Sequence, residues 1–218
     1  MNQYYELLRD SGTAMIADVC DALGAEPLVL DTRVKPTRPS SCFAGPAYTI
    51  TGRSERYTGA DCAKLAAIDK MPTGVVAMWA GVDAEGVCCF GDLLASAMQV
   101  RGCVAAIVDG GVRDVRYLSE LQMIVYSRYT TPAQGVGRWR VTASQTTVRM
   151  RGALQPWVDV APGDAVVGDQ DGVIVIPAAL SEAIAVRLSE AATSESAARQ
   201  EILDGLPLLE ALARHGHL

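Results

Sequence analysis

The chain is poor in histidine and in lysine. Its two histidines, His215 and His217, stand on a tail, a poor place to build a metal site. Its three lysines are Lys35, Lys64 and Lys70, all remote in sequence from the Gly91 to Asp114 stretch, which counts against a lysine Schiff base there. The six cysteines, Cys20, Cys42, Cys62, Cys88, Cys89 and Cys103, form no Cys-x-x-Cys pair. Most have apolar neighbours, so they read as buried free thiols of a reducing compartment, with no histidine partner to make one reactive. No apolar run approaches a membrane span. The segment Met1-Asn2-Gln3-Tyr4-Tyr5-Glu6 lacks the basic and apolar regions of an export signal, so the expectation is a cytoplasmic protein. The net charge is −6 and the basic residues are scattered, which argues against a phosphate-backbone binder. Neither nucleic acid nor membrane is expected as a partner.

What the chain does have is a core-forming composition. Half of its 218 residues are hydrophobic, enough for one large domain. The stretch from Gly91 to Asp114 organises it. Leu93 to Arg101 is rich in helix formers and ends at Gly102. Cys103 to Val108 is a short apolar run suited to a strand buried on both faces. Asp109-Gly110-Gly111 then reads as the break that ends the strand. Asp92 therefore sits where a helix starts. Arg113 and Asp114 sit past a strand's C-terminal end, where α/β sheets place ligands.

The residue types suggest a chemistry. Asp114 is a hard oxygen ligand for Mg²⁺ or Mn²⁺, and Asp92 would hold a metal-bound water. Arg113 offers a planar fork for a carboxylate. The amides of Leu93 and Leu94, after Gly91, would face an anion from a helix N-terminus. Together they describe a site for a metal-bound 2-oxo acid. Each aspartate has a plainer reading as a helix cap, Asp92 for the helix it begins and Asp114 for one over Val115–Leu121.

The remaining elements follow from pattern. A helix is expected over Thr13–Leu23, a strand over Ala44–Thr51, and a helix over Ala60–Asp69 that turns Cys62, Leu65 and Ala66 inward. Strands are expected over Val75–Trp79, Val87–Phe90 and Met123–Tyr126. The loops over 53–59 and 127–140 would wall the pocket, and Arg128, Arg138 and Arg140 read equally as a solvated basic loop or as groups tuning which distal carboxylate is accepted. Asp83, Glu85, Asp164, Asp169 and Asp171 read as turn residues. Residues 139–177 are a block of short β patterns, and 178–204 a long helix closed by Gly205.

Asp92-X20-Arg113-Asp114 resembles the signature of the class II pyruvate aldolases of the RraA-like family. Ala44-Gly45-Pro46-Ala47-Tyr48-Thr49-Ile50, Ala161-Pro162-Gly163-Asp164 and Asp169-Gln170-Asp171-Gly172-Val173 through Pro177 resemble further family segments, in order, over roughly residues 12–205. The resemblance implies a single α/β domain over 1–218, a swivelling β/β/α-type sandwich with a β-rich second half and a long C-terminal helix. It implies a homo-oligomer, trimer or hexamer, in which Glu195, or alternatively Glu190, of a neighbouring copy approaches the metal-water shell. It implies cleavage of a 4-hydroxy-2-oxo acid to pyruvate, with oxaloacetate decarboxylation as a side activity. Two other roles stay open: the same family holds proteins that inhibit a ribonuclease by contact, and the scaffold suits other metal-chelating oxo or hydroxy acids.

Overall fold

A computed structural model describes residues 3–39 and 42–215, with the backbone alone for 191–198. Helix α1 (Gln3–Ala22) is followed by two short strands, β1 (Leu28–Val29) and β2 (Lys35–Pro36), and by the long strand β3 (Phe43–Ser54). Then come α2 (Cys62–Asp69), β4 (Val76–Ala80), β5 (Cys88–Phe90), α3 (Asp92–Val100), β6 (Ala105–Val112), α4 (Val115–Glu120) and β7 (Ile124–Thr130). The second half is β8 (Trp139–Ser144), β9 (Val148–Arg151), β10 (Trp157–Val160), β11 (Ala165–Gly168) and β12 (Val173–Ile176). A 3-10 turn at Ala178–Leu180 leads into α5 (Ser181–Leu203) and α6 (Leu208–His215). The expected mixed α/β class, β-rich second half and long C-terminal helix are all present.

The main sheet runs β1-β12-β11-β3-β4-β6-β7-β2, with β5 added to β6 and β8 to β3. Its centre, β3-β4-β6-β7, is parallel, and the β11-β12 flank is antiparallel. Strand β3 joins the two parts. Its first residues pair with β11, its middle with β4 and its end with β8.

Burial follows the strand period of two. On β4, Ala77 and Trp79 pack toward α2, α3 and α4 with Ile68, Met98 and Leu118. Val76 and Met78 pack on the opposite face, beneath β9 and β10, with Ile107, Tyr126, Met150 and Val158. A third cluster seats α1 and α5 on the antiparallel flank through Leu8, Ile16, Ile184 and Leu188.

Three local expectations are corrected. Asp109-Gly110-Gly111 does not end β6; the strand continues through Val112. A Cβ at Gly111 would press into the Tyr129 ring and lie 2.7 Å from the Val87 carbonyl oxygen, so the glycine serves close strand packing rather than a turn. Helix α1 begins at Gln3 rather than Thr13, with a break at Gly12. The expected start is nonetheless real, because Asp169 accepts from both the amide and the hydroxyl of Thr13, each at 2.8 Å. Helix α2 is rotated from its expected phase. Lys64, Ala67 and Ile68 face inward, Leu65 is half exposed, and Cys62 is exposed rather than buried.

Candidate active site

Strands β5 and β6 run parallel, and the chain leaves both at the same edge. Gly91 and α3 follow β5, and Arg113-Asp114 and α4 follow β6. The amide of Arg113 donates to the Phe90 carbonyl at 3.2 Å, tying the two exits together. Asp92, Leu93, Leu94, Arg113 and Asp114 line one cavity of about 230 Å³.

The capping readings are only partly met. Gly91, not Asp92, is the N-cap of α3, and no side chain caps its first amides. Asp92 is the helix's first residue, where its charge is favourable to the helix dipole. Asp114 is the N-cap of α4 in the left-handed conformation (φ 62°, ψ 34°), yet its carboxylate makes no capping bond. Only its carbonyl does that work, accepting from Tyr117 and Leu118 at 2.9 and 3.0 Å. The carboxylate instead lies against Gly91. A Cβ there would meet its Oδ2 at 2.9 Å, so the missing side chain makes room for it. Arg113 donates from Nε to the same Oδ2 at 3.1 Å, and both side chains stay partly exposed, 42% and 31%.

The donor set fits Mg²⁺ or Mn²⁺. Asp114 and Asp92 supply hard oxygens beside a helix N-terminus. Among the described residues, no group of three or more His, Cys, Asp or Glu side chains is placed to cage an ion.

Other lining residues escaped the sequence. These are Asp61 and Lys64, which line the cavity beside Gln134, Gly135 and Val136 of the expected 127–140 wall. No lysine was expected near this stretch. Lys64 arrives because Asp61 fixes the start of α2, accepting from the Lys64 amide at 3.1 Å and from the Val141 amide of β8 at 2.9 Å. The three arginines expected to tune substrate are elsewhere. Arg128 lies on β7, with a buried side chain 3.6 Å from Asp109 and 3.7 Å from Asp31. Arg140 pairs with Glu55 at 3.6 Å, and Arg138 donates to the Gln134 carbonyl at 3.0 Å. Of the pocket-wall loops, 127–140 contributes through residues 134–136, while β3 carries the chain through Ser54 and no residue of 53–59 lines the cavity.

Cys89 also lines the cavity, but burial pushes its thiol up to about 12 against the opposing pull of Lys64, so it is no thiolate nucleophile at neutral pH. Asp83 accepts from the Ser54 amide and the Trp139 indole. Asp164 accepts from the amides of Ala161 and Ala178. Asp164 braces its turn as expected, while Asp83 ties its turn to β3 and β8 rather than standing solvated. Glu190 pairs with Arg187 at 2.9 Å on α5 and does not line the cavity of its own chain. The side chain of Glu195 lies outside the described residues.

Comparison with known proteins adds the following. The family model described as RraA-like, Aldolase/RraA, matches residues 14–175. A Halalkalibacterium halodurans protein, provisionally named a 4-hydroxy-4-methyl-2-oxoglutarate aldolase, is 29% identical over 206 residues, covering 91% of this chain and 88% of its own. An uncharacterized protein of Pseudomonas syringae pv. tomato has a similar structure, with TM-score 0.82, 21% identity and 97% of each chain covered. Streptomyces coelicolor RraAS2, described as an unusual member of the RNase ES inhibitor RraA family, gives TM-score 0.78 at 24% identity, covering 91% of this chain and 96% of its own. Among the described residues, no helix is long and apolar enough to cross a membrane.

Proposed function

This chain belongs to the RraA-like family, and from that premise we propose that it is a divalent-metal-dependent carbon–carbon lyase. It cleaves a 4-hydroxy-2-oxo acid to pyruvate and a second carbonyl compound, and decarboxylates oxaloacetate as a side activity. The observation that carries this reading is the convergence of Asp92, Arg113, Asp114 and the uncapped start of α3 on one cavity.

Each residue has a defined task. The Arg113 guanidinium and the Leu93 and Leu94 amides grip the carboxylate of the 2-oxo acid end, fork and helix N-terminus together. Asp114 and, through water, Asp92 would hold Mg²⁺ or Mn²⁺. When bound, the ion supplies the Lewis acidity that stabilises an enolate. Asp92 takes the proton of the 4-hydroxyl group through an intervening water, and the bond between C3 and C4 breaks. Its electron pair passes to the enolate of pyruvate, and a proton returned at C3 completes the product. Decarboxylation of oxaloacetate runs through the same enolate, with carbon dioxide as the leaving group. In this reading the protein works as a homo-oligomer, trimer or hexamer, and Glu195 or Glu190 of a neighbouring copy helps position the water.

The test is pyruvate release from 4-hydroxy-4-methyl-2-oxoglutarate and from oxaloacetate, with Mg²⁺ or Mn²⁺ and then with EDTA, for wild type and Asp114→Ala. Turnover that needs the metal and is lost in the variant is the expected result. Decarboxylation without aldol cleavage would keep the site and change the substrate. No turnover on either, together with no metal bound, would overturn the reading in favour of a protein-binding role.

A further inference from the structure

We propose that Lys64 is the residue that selects dicarboxylic substrates, its ammonium receiving the carboxylate distal to the 2-oxo acid end. This rests on the reading of the cavity as a 2-oxo acid site. Lys64 is 7% exposed on α2, where its neighbours Ala63, Leu65, Ala66, Ala67 and Ile68 are apolar. A buried ammonium needs compensation, and the protein supplies one buried carboxylate, Asp61, and one aromatic face, Trp139. The nearest carboxylate oxygen, Asp61 Oδ2, is 3.5 Å from Nζ, longer than the roughly 2.7–2.9 Å of a charge-assisted bond. That oxygen already accepts from the Val141 amide. On another side lies the face of Trp139, its centroid 5.2 Å away, which attracts the charge but accepts no ordinary hydrogen bond. An ammonium carries three donors, so Lys64 reaches the cavity wall with donor capacity to spare.

The cavity has a use for it. Among its described lining residues the cations are Arg113 and Lys64. Arg113 is committed to Asp114 and to the pyruvyl carboxylate. Lys64 enters from α2, on a different element from the α3 start and the Arg113 loop. The arginines of the 127–140 segment are occupied elsewhere. A monocarboxylic 2-oxo acid would leave the ammonium with Asp61 as its one anionic partner, whereas a dicarboxylic one brings a second anion to the wall that Lys64 lines. The neighbouring Leu65 and Val136 give a methyl or methylene group an apolar wall.

The experiment uses a matched pair of ligands that have no 4-hydroxyl group to cleave. The full chain with Mg²⁺ is titrated calorimetrically with 2-oxoglutarate and with 2-oxopentanoate, which has the same carbon chain without the distal carboxylate. Wild type is expected to bind 2-oxoglutarate about tenfold or more tightly than 2-oxopentanoate, the scale of one hydrogen-bonded charge. Lys64→Met and Lys64→Gln should abolish that preference by weakening 2-oxoglutarate alone. Lys64→Arg should retain part of it. Equal binding of the two ligands by wild type, a result that needs no variant to fold, would overturn the assignment to Lys64 while leaving the 2-oxo acid site standing. So would an undiminished preference in a folded Lys64→Met. Binding of neither ligand by wild type would overturn the site reading and the role of Lys64 with it.

Discussion

Two aspartates, Asp109 within strand β6 and Asp114 just past its end, meet opposite fates. Asp109 is fully buried and saturated. Its carboxylate accepts from the Arg151 amide at 2.7 Å and from Arg151 Nη1 at 3.1 Å. Arg128, itself drawn toward Asp31, stands 3.6 Å away, and Arg151 is anchored in turn on the Val82 carbonyl. Among the described residues Asp114 pairs with Arg113, and it lines a cavity. The first arrangement is what burial of charge demands, since an unanswered ion in the interior costs several kcal/mol. The second keeps its carboxylate partly exposed, where water or a ligand can reach it. Charges that hold the fold are closed off by protein, while those available for chemistry are left partly unspoken for.

Removing each carboxylate should sharpen the contrast most. Asp109→Ala should cost about 3–5 kcal/mol, as expected for breaking a buried network, read from urea denaturation. Asp114→Ala should change stability by less than about 1 kcal/mol, the scale of a partly exposed pair, while lowering turnover by at least about 100-fold. Equal destabilisation by the two would break the comparison.

A smaller effect is expected from two glycines. Gly111→Ala would force a Cβ into Tyr129 and the Val87 carbonyl, an overpacking worth about 1–3 kcal/mol. Gly91→Ala would instead push on the Asp114 carboxylate, which can swing aside. It should leave the thermal midpoint nearly unchanged and depress metal affinity, measured by titration.

The smallest effect is a slope. Asp31 is held below the usual carboxylate range chiefly by its hydrogen bond from Arg33, with Arg128 adding to it and burial opposing. Because its folded pKa is depressed, the stability it contributes is fully present above the ordinary aspartate value near 4 and is lost as pH falls through the folded value. Denaturation midpoints of Asp31→Asn should therefore fall less steeply than wild type below about pH 4. An identical slope would show that this end of the network does not contribute.

The sequence reveals the two regions unequally. The Asp92, Arg113 and Asp114 spacing was legible because a helix and a strand of ordinary length, joined by short turns, bring its ends together. That geometry is local. Lys64 was not legible. Cys62 to Ile68 is apolar nearly all round apart from the lysine itself, so the helix carries no phase of its own, and the phase is set by Asp61 reaching Val141. Arg128 was misread for a related reason. A lone arginine beside a glycine-rich segment looks solvated, and its partners Asp31 and Asp109 are distant in sequence. The Gly110-Gly111 pair carried a true signal with the wrong meaning, since small size serves close packing as well as it serves turning.

The bond from Thr13 to Asp169 has a consequence for how the protein is made. The two residues are separated by 156 positions. At roughly 5–20 residues per second, a ribosome adds Asp169 about 8–30 seconds after Thr13. For that interval the second half of α1 has no cap, and the antiparallel flank it packs on does not yet exist. The first helix to be synthesised would thus be among the last to be secured, and a nascent chain halted before β11 would carry it unanchored.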